Sequence, residues 1–154
     1  MRVFRIAKKI YLNDLSGMGA KIYGGRWNEV GLPLVYTADH LSLAVLEMLA
    51  NQIRSLVDNT YGYIELEVPE KLITKTIKES NLGITWRQSH YNEQTVSIGT
   101  NWLLSQDSVA MSVPSAVLAQ ESNILLNPLH KDFNKIKTIR EGELNLDGRL
   151  VKEA

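Results

Sequence analysis

Gly17-Met18-Gly19-Ala20-Lys21-Ile22-Tyr23-Gly24-Gly25-Arg26-Trp27-Asn28 runs on through Gly31 into Leu34-Val35-Tyr36-Thr37-Ala38-Asp39. Four glycines in the nine residues from Gly17 to Gly25 free the backbone to visit positive φ and to approach a ligand closely. Arg26 and Trp27 follow the Gly-Gly pair, so a cation and a flat ring are presented on a bent loop. The arginine fork suits phosphate and carboxylate oxygens. A turn-rich connector with an incidental basic residue has the same composition, so the segments on either side decide the reading.

Upstream, Val3 to Ile6 reads as a short strand, followed by a loop to about Gly31. Downstream, Leu34-Val35-Tyr36-Thr37 is a compact β-rich run entered through Pro33, which can open a strand but not occupy its middle. Thr37 or Asp39 is placed to cap a helix from about His40 to Leu56. From Tyr61 to Val68 the residues alternate with period two, as in a strand with one buried face, and Pro69 ends it. A second helix is expected from Asn92 to Ser105 on Ile98, Trp102 and Leu103, with Gly99 weakening it. Val109 to Val113 reads as a strand ending at Pro114-Ser115. Asn123 to Leu126 and Ile136 to Ile139 read as extended, and Asn145-Leu146-Asp147-Gly148 as a turn. Helices and strands mix without a βαβ rhythm, so the class expected is α+β.

A chain of 154 residues fits one domain burying roughly 70% of its unfolded surface. Seventeen basic and seventeen acidic residues cancel, so no net field draws the chain to nucleic acid or an anionic membrane. Cysteine is absent, which excludes disulfides and thiolate chemistry and fits a reducing compartment. The opening Met1-Arg2-Val3-Phe4-Arg5-Ile6-Ala7-Lys8-Lys9 has no apolar run of signal-peptide length, and no segment nears the roughly 20 apolar residues of a span. A cytoplasmic location is expected.

Glu47 is the odd residue of the first long helix. At about 100° per residue the apolar side chains from Leu41 to Ile53 cover almost the whole circumference, the pattern of a buried helix. A carboxylate there needs a partner or a ligand. It also heads a polar stripe with Asn51 and Arg54, which is the structural alternative. Tyr36 stands at a strand end before a helix start, where sites are often assembled, although its ring is equally suited to a core. Ser115 fits a turn, and His130, His40 and His90 show no metal-ligand spacing. Zinc-protease, P-loop and nucleophile-elbow patterns are missing.

In order along the chain, these pieces resemble the RES-domain family, named for an arginine, a glutamate and a serine. The resemblance runs through Gly19-Ala20, Gly24-Gly25-Arg26-Trp27-Asn28, Gly31 to Ala38 and Leu43-Ala44-Val45-Leu46-Glu47. It continues in Val113-Pro114-Ser115-Ala116-Val117, Asn127-Pro128-Leu129-His130-Lys131-Asp132-Phe133 and Asn145-Leu146-Asp147-Gly148-Arg149-Leu150. Lys131 stands where the family often has proline, and Leu144 and Leu146 where it tends to have phenylalanine.

The resemblance implies a single RES-like domain over residues 1–154 with a fold like that of ADP-ribosyltransferases. It implies a bacterial toxin that consumes NAD by phosphorolysis or hydrolysis, or else transfers ADP-ribose to a protein. Glu47, Arg26, Tyr36 and Ser115 would be the catalytic set. Arg26, Tyr36, Trp27, Asn28, Ser115 and Asn127 would contact NAD, and no metal is expected. The partner implied is an Xre-type antitoxin covering the active site, with a homodimer allowed inside a larger complex and no direct contact with nucleic acid. Two further classes stay open on the residues alone: a catalytically silent nucleotide-binding module, which needs no helix carboxylate, and a structural interaction protein, which needs neither Arg26 nor Tyr36.

Overall fold

In the computed structural model, residues 1–52, 60–88 and 91–150 are described. Seven strands form one mixed sheet in the order β4-β5-β6-β2-β1-β3-β7. They are β1 (Arg2–Lys8), β2 (Val35–Ala38), β3 (Tyr61–Glu67), β4 (Ile73–Thr76), β5 (Ala110–Pro114), β6 (Ser122–Leu126) and β7 (Lys137–Glu143). Only the β4–β5 pair is parallel; every other neighbour is antiparallel. The helices are α1 (Met18–Tyr23), α2 (Leu41–Gln52) and α3 (Glu93–Ser105). The α+β class read from the sequence is therefore the observed one.

Alternation along the strands divides the core between the two faces of the sheet. Val3, Val35, Ile64, Leu66, Ile124 and Leu126 pack together in one cluster. Leu125, Met111 and Val113 join Trp27, Trp86, Trp102 and Leu103 in another, beneath α3. α2 lies against β1 and β2, where Leu43 and Ala44 meet Ala38, Phe4 and Ile6.

The central strands decide where a ligand can go. β1 pairs with β3 over seven residues, but with β2 only at Phe4 and Ala38. Beyond that single pair the two strands diverge. A cavity of about 820 Å³ occupies the gap, walled by residues 5–8 of β1, 34–38 around β2, α1 and the cavity side of α2.

Several local expectations are revised. The loop before Gly31 contains the short helix α1, whose pattern the surrounding glycines obscured. α2 is not buried all round: Leu43, Ala44 and Met48 are covered, whereas Leu46 and Ala50 face outward. The expected end of that helix, with Ile53, Arg54 and Leu56, lies outside the described residues. β3 is not half-exposed, because Glu65 is buried and bonded to Arg2 and Arg140. Gly99 is a packing requirement of α3: an added Cβ would stand 1.9 Å from the Trp27 carbonyl oxygen. Asn92 caps α3 by accepting from the Thr95 amide at 3.2 Å. The run expected at Ile136–Ile139 is the longer, mostly exposed β7, and β4 gave no sequence signal.

Candidate active site

Glu47 reaches the cavity wall from the seventh residue of α2, in its second turn, among side chains that pack on the sheet. Its Oε1 accepts two hydrogen bonds, from Ser115 Oγ at 2.8 Å and from Asn123 Nδ2 at 2.6 Å. Among the described residues Oε2 takes no donor. Two fixed donors on one oxygen lock the carboxylate plane and leave the other oxygen available to a ligand.

Ser115 follows Pro114 at the end of β5, fully buried. Besides donating to Glu47, its Oγ accepts from the amides of Val117 at 3.1 Å and Leu118 at 3.0 Å. A hydroxyl has one proton and two lone pairs, and all are spent here. Ser115 does not line the cavity. Its hydrogen bonds within the protein go to Glu47 and the two amides, a geometry that orients the carboxylate.

Asn123 was missed by the sequence reading. Register places it opposite Ala38, on the sheet face that α2 covers, and it lines the cavity. A polar residue near a strand start is too common to have singled it out.

Tyr36 belongs to the cavity wall through β2. Its hydroxyl is tied into the glycine loop, accepting from the Trp27 amide at 3.0 Å and donating to Asn28 Oδ1 at 2.8 Å. Burial drives the phenol far above its ordinary range, so the proton stays on. Gly25 must be glycine at this contact, because a Cβ would stand 2.5 Å from the Tyr36 hydroxyl.

Arg26 is half-buried beside this loop. Nη1 donates to the Trp86 carbonyl at 2.5 Å, and the guanidinium carbon lies 5.7 Å from the Trp86 ring centroid. Burial lowers its pKa, opposed by the charge of Glu47 and by Tyr36. Arg26 thus sits in the electrostatic reach of Glu47, although it does not line the cavity.

The other three residues expected to contact NAD, Trp27, Asn28 and Asn127, are held by contacts within the protein. Trp27 is buried in the core and stacks at a tilt on Trp86, with ring centroids 6.4 Å apart. Asn28 is buried, its Nδ2 donating to the carbonyls of Ala20, Glu29 and Leu32. Asn127 donates to the Leu103 carbonyl and accepts from the Leu129 amide, remote from the cavity lining. Asn28 thereby fixes the loop that follows α1, and Asn127 joins the end of β6 to α3. His130 is likewise structural, with Nδ1 accepting from the Asp132 amide.

A second residue missed in the sequence is Arg5. It lines the cavity from β1 and donates to the carbonyls of Tyr11 at 3.1 Å and Leu12 at 2.7 Å. Burial lowers its pKa, with Asp14 acting in the opposite sense. No carboxylate ion-pairs with it among the described residues. The cavity therefore carries an anion-attracting cation on β1 and an oriented carboxylate on α2.

In backbone, the fold matches a chain of the crystal structure of the M. tuberculosis MbcT–MbcA toxin–antitoxin complex. The TM-score is 0.75 at 18% identity, covering 93% of this chain and 83% of that one. The RES domain family model matches residues 2–147, and the chain belongs to the RES domain family. It is 36% identical to "Toxin Res" of Photorhabdus laumondii, over 99% of this chain and 98% of the relative. It is 35% identical to the "Prs ADP-ribosylating toxin" of a Sphingobium species, over 99% and 96%. No helix among the described residues is long and apolar enough to cross a membrane.

Proposed function

We propose that this chain is an NAD-consuming toxin of a bacterial toxin–antitoxin pair, cleaving the bond between nicotinamide and ribose. The observation that carries the reading is Glu47, held by Ser115 and Asn123 at the wall of the cavity between β1 and β2. The cavity volume lies within the ordinary range for small-molecule sites. The toxin relatives, one of them named as ADP-ribosylating, support NAD as the substrate.

The chemistry follows from the charges. When the C1′–N bond breaks, its electron pair goes to the nicotinamide nitrogen, which becomes neutral, and positive charge develops on the ribose, as in glycoside hydrolysis. The free Oε2 of Glu47 stabilises that charge or holds the ribose hydroxyls; Ser115 and Asn123 keep it aimed, so no reorganisation is needed as charge builds. Arg5 supplies a cation at the cavity wall for the pyrophosphate, and Arg26, set back beside the glycine loop, is a second that reaches the phosphates with its free guanidinium nitrogens. The Tyr36 ring offers a face for the cationic nicotinamide, a contact worth about 0.5–2 kcal/mol. Water or phosphate then adds at C1′, water giving up a proton to solvent. Which nucleophile wins depends on how far the site excludes water.

An antitoxin that closes this cavity fits its rim. Tyr11, Met18, Ile22 and Tyr23 line the opening and are exposed, an apolar border in a chain of zero formal net charge. Such a surface associates through shape and apolar contact with little long-range steering.

The test is to incubate the purified chain with NAD, with and without phosphate, and follow nicotinamide and the ribosyl product. ADP-ribose marks hydrolysis and its phosphorylated form marks phosphorolysis. Release that requires an added protein acceptor favours ADP-ribose transfer, the reading suggested by the name of the Sphingobium relative. NAD binding without any nicotinamide release, in a folded chain, leaves the silent nucleotide-binding module.

A further inference from the structure

A second cluster lies outside the cavity. β2 ends at Ala38, Asp39 and His40 make the turn into α2, and Glu121 immediately precedes β6. The Asp39 amide donates to the Ser122 carbonyl at 3.3 Å, which pins the two chain segments side by side. His40 Nδ1 then faces Asp39 Oδ1 at 3.2 Å and Glu121 Oε2 at 3.5 Å. Glu121 Oε2 is buried and has no hydrogen-bond partner among the described residues.

We propose that Asp39, His40 and Glu121 form a binding site for one zinc ion. A proton on Nδ1 serves only one of the two carboxylates at hydrogen-bond distance, and the contact to Asp39 leaves the buried oxygen of Glu121 unsatisfied. A cation between the three atoms satisfies all of them together. Zinc binds imidazole nitrogen and carboxylate oxygen at about 2.0–2.2 Å, so tetrahedral ligands stand roughly 3.3–3.5 Å apart. The two separations from Nδ1 need only small adjustments, and the three ligand atoms all lie within 4.8 Å of one another.

The imidazole selects zinc over magnesium, which prefers an all-oxygen octahedron and keeps its water. His40 is largely exposed, which leaves a fourth position for water. Sequence spacing could not show this site, because Glu121 reaches the other two only through the β2–β6 pairing. None of the three residues lines the cavity, so the proposal stands apart from the NAD reading. A bound ion would tie the start of α2 to the start of β6, the elements that carry Glu47 and Asn123.

Zinc would be titrated calorimetrically into the metal-free chain, with thermal melts in parallel, for wild type, His40→Asn, Glu121→Gln and His130→Asn. One equivalent should bind and raise Tm, since a ligand that prefers the folded state stabilises it. His40→Asn and Glu121→Gln should bind at least about tenfold more weakly, because even outer-shell losses cost that much. His130→Asn should bind as wild type, and magnesium alone should give no binding. Absence of zinc binding by the folded wild type overturns the site. So does undiminished binding by the His40 and Glu121 variants, or equal affinity for magnesium.

Discussion

Ser115 Oγ lies 2.8 Å from Glu47 Oε1 although the two residues are 68 positions apart. The contact joins the end of β5 to the middle of α2. With the Val117 and Leu118 amides also on its oxygen, Ser115 is a positioning residue for the carboxylate. Glu47→Gln should remain folded and lose about a hundredfold or more in NAD turnover, the scale of removing one preorganised electrostatic group. Ser115→Ala should lose less, mainly in kcat with KM little changed, and should cost about 1–3 kcal/mol of stability for the buried groups left unpaired. Steady-state kinetics and denaturant melts read both. Near-full turnover in folded Glu47→Gln would make the carboxylate structural.

Asn123→Asp replaces a donor with a second carboxylate at the 2.6 Å contact to Glu47. Two carboxyls that close cannot both ionise, so one retains its proton into a higher pH range. The acid limb of the kcat/KM profile should move upward relative to wild type. Asn123→Ala should lower activity without that movement. An unshifted limb in the Asp variant would place Asn123 away from the ionising group.

Arg26 presents a planar fork, one prong of which is fixed on the Trp86 carbonyl. Lysine carries the charge without the plane and cannot reproduce both the stacking on Trp86 and a two-pronged phosphate contact. Arg26→Lys should raise KM for NAD more than it lowers kcat, provided the contact is made in the ground state. Wild-type kinetics in this variant would put Arg26 outside the site.

Gly99→Ala tests packing with no chemistry involved. The added methyl meets the Trp27 carbonyl oxygen at 1.9 Å, and neither helix nor loop has a flexible side chain there to yield. Overpacking of this kind costs about 1–3 kcal/mol and sometimes more, against the gain alanine normally brings to a helix. A lower denaturation midpoint is expected. A more stable variant would show that the loop under α3 moves freely.

Glu65 sets an acid limit on stability. Burial opposes its ionisation, but hydrogen bonds from Arg140 and Arg2, together with their charges, hold its carboxyl below the ordinary range. A depressed folded-state pKa contributes stability above the unfolded value, near 4.3, and loses it as pH falls through the folded value. Glu65→Gln should be less stable at neutral pH, with a flatter loss between about pH 5 and 3. Parallel acid limbs in the two proteins would remove Glu65 from the account.

β1, β2, β3, β5, β6 and α3 could be placed from the sequence because their patterns are local. Apolar alternation, Pro33 before a strand, Pro69 after one and Asn92 at a helix start each act within a few residues. β4 could not, because it is short and carries no apolar period, and of β7 only the start near Ile136–Ile139 was legible, because the rest is largely exposed. In the site, Glu47 announced itself as a carboxylate in an apolar helix, and Arg26 and Tyr36 as polar residues beside a glycine cluster. Arg5 and Asn123 had no such contrast with their surroundings.

The sequence by itself determined the α+β class, the resemblance to the RES family and the residue that carries the proposed chemistry. Those conclusions rest on composition, short-range periodicity and ordered motifs, all written along the chain. Tertiary structure alone decided which polar groups face the cavity and which are consumed by the fold. Asn28, Asn127 and Ser115 look like ligand contacts in one dimension, yet each spends its hydrogen bonds inside the protein. The divergence of β1 from β2 is likewise a matter of pairing between distant strands, and the cavity lies there because one registered pair holds them together. Hydrogen-bond capacity is finite and is filled by whatever the fold brings within reach, which local sequence does not specify.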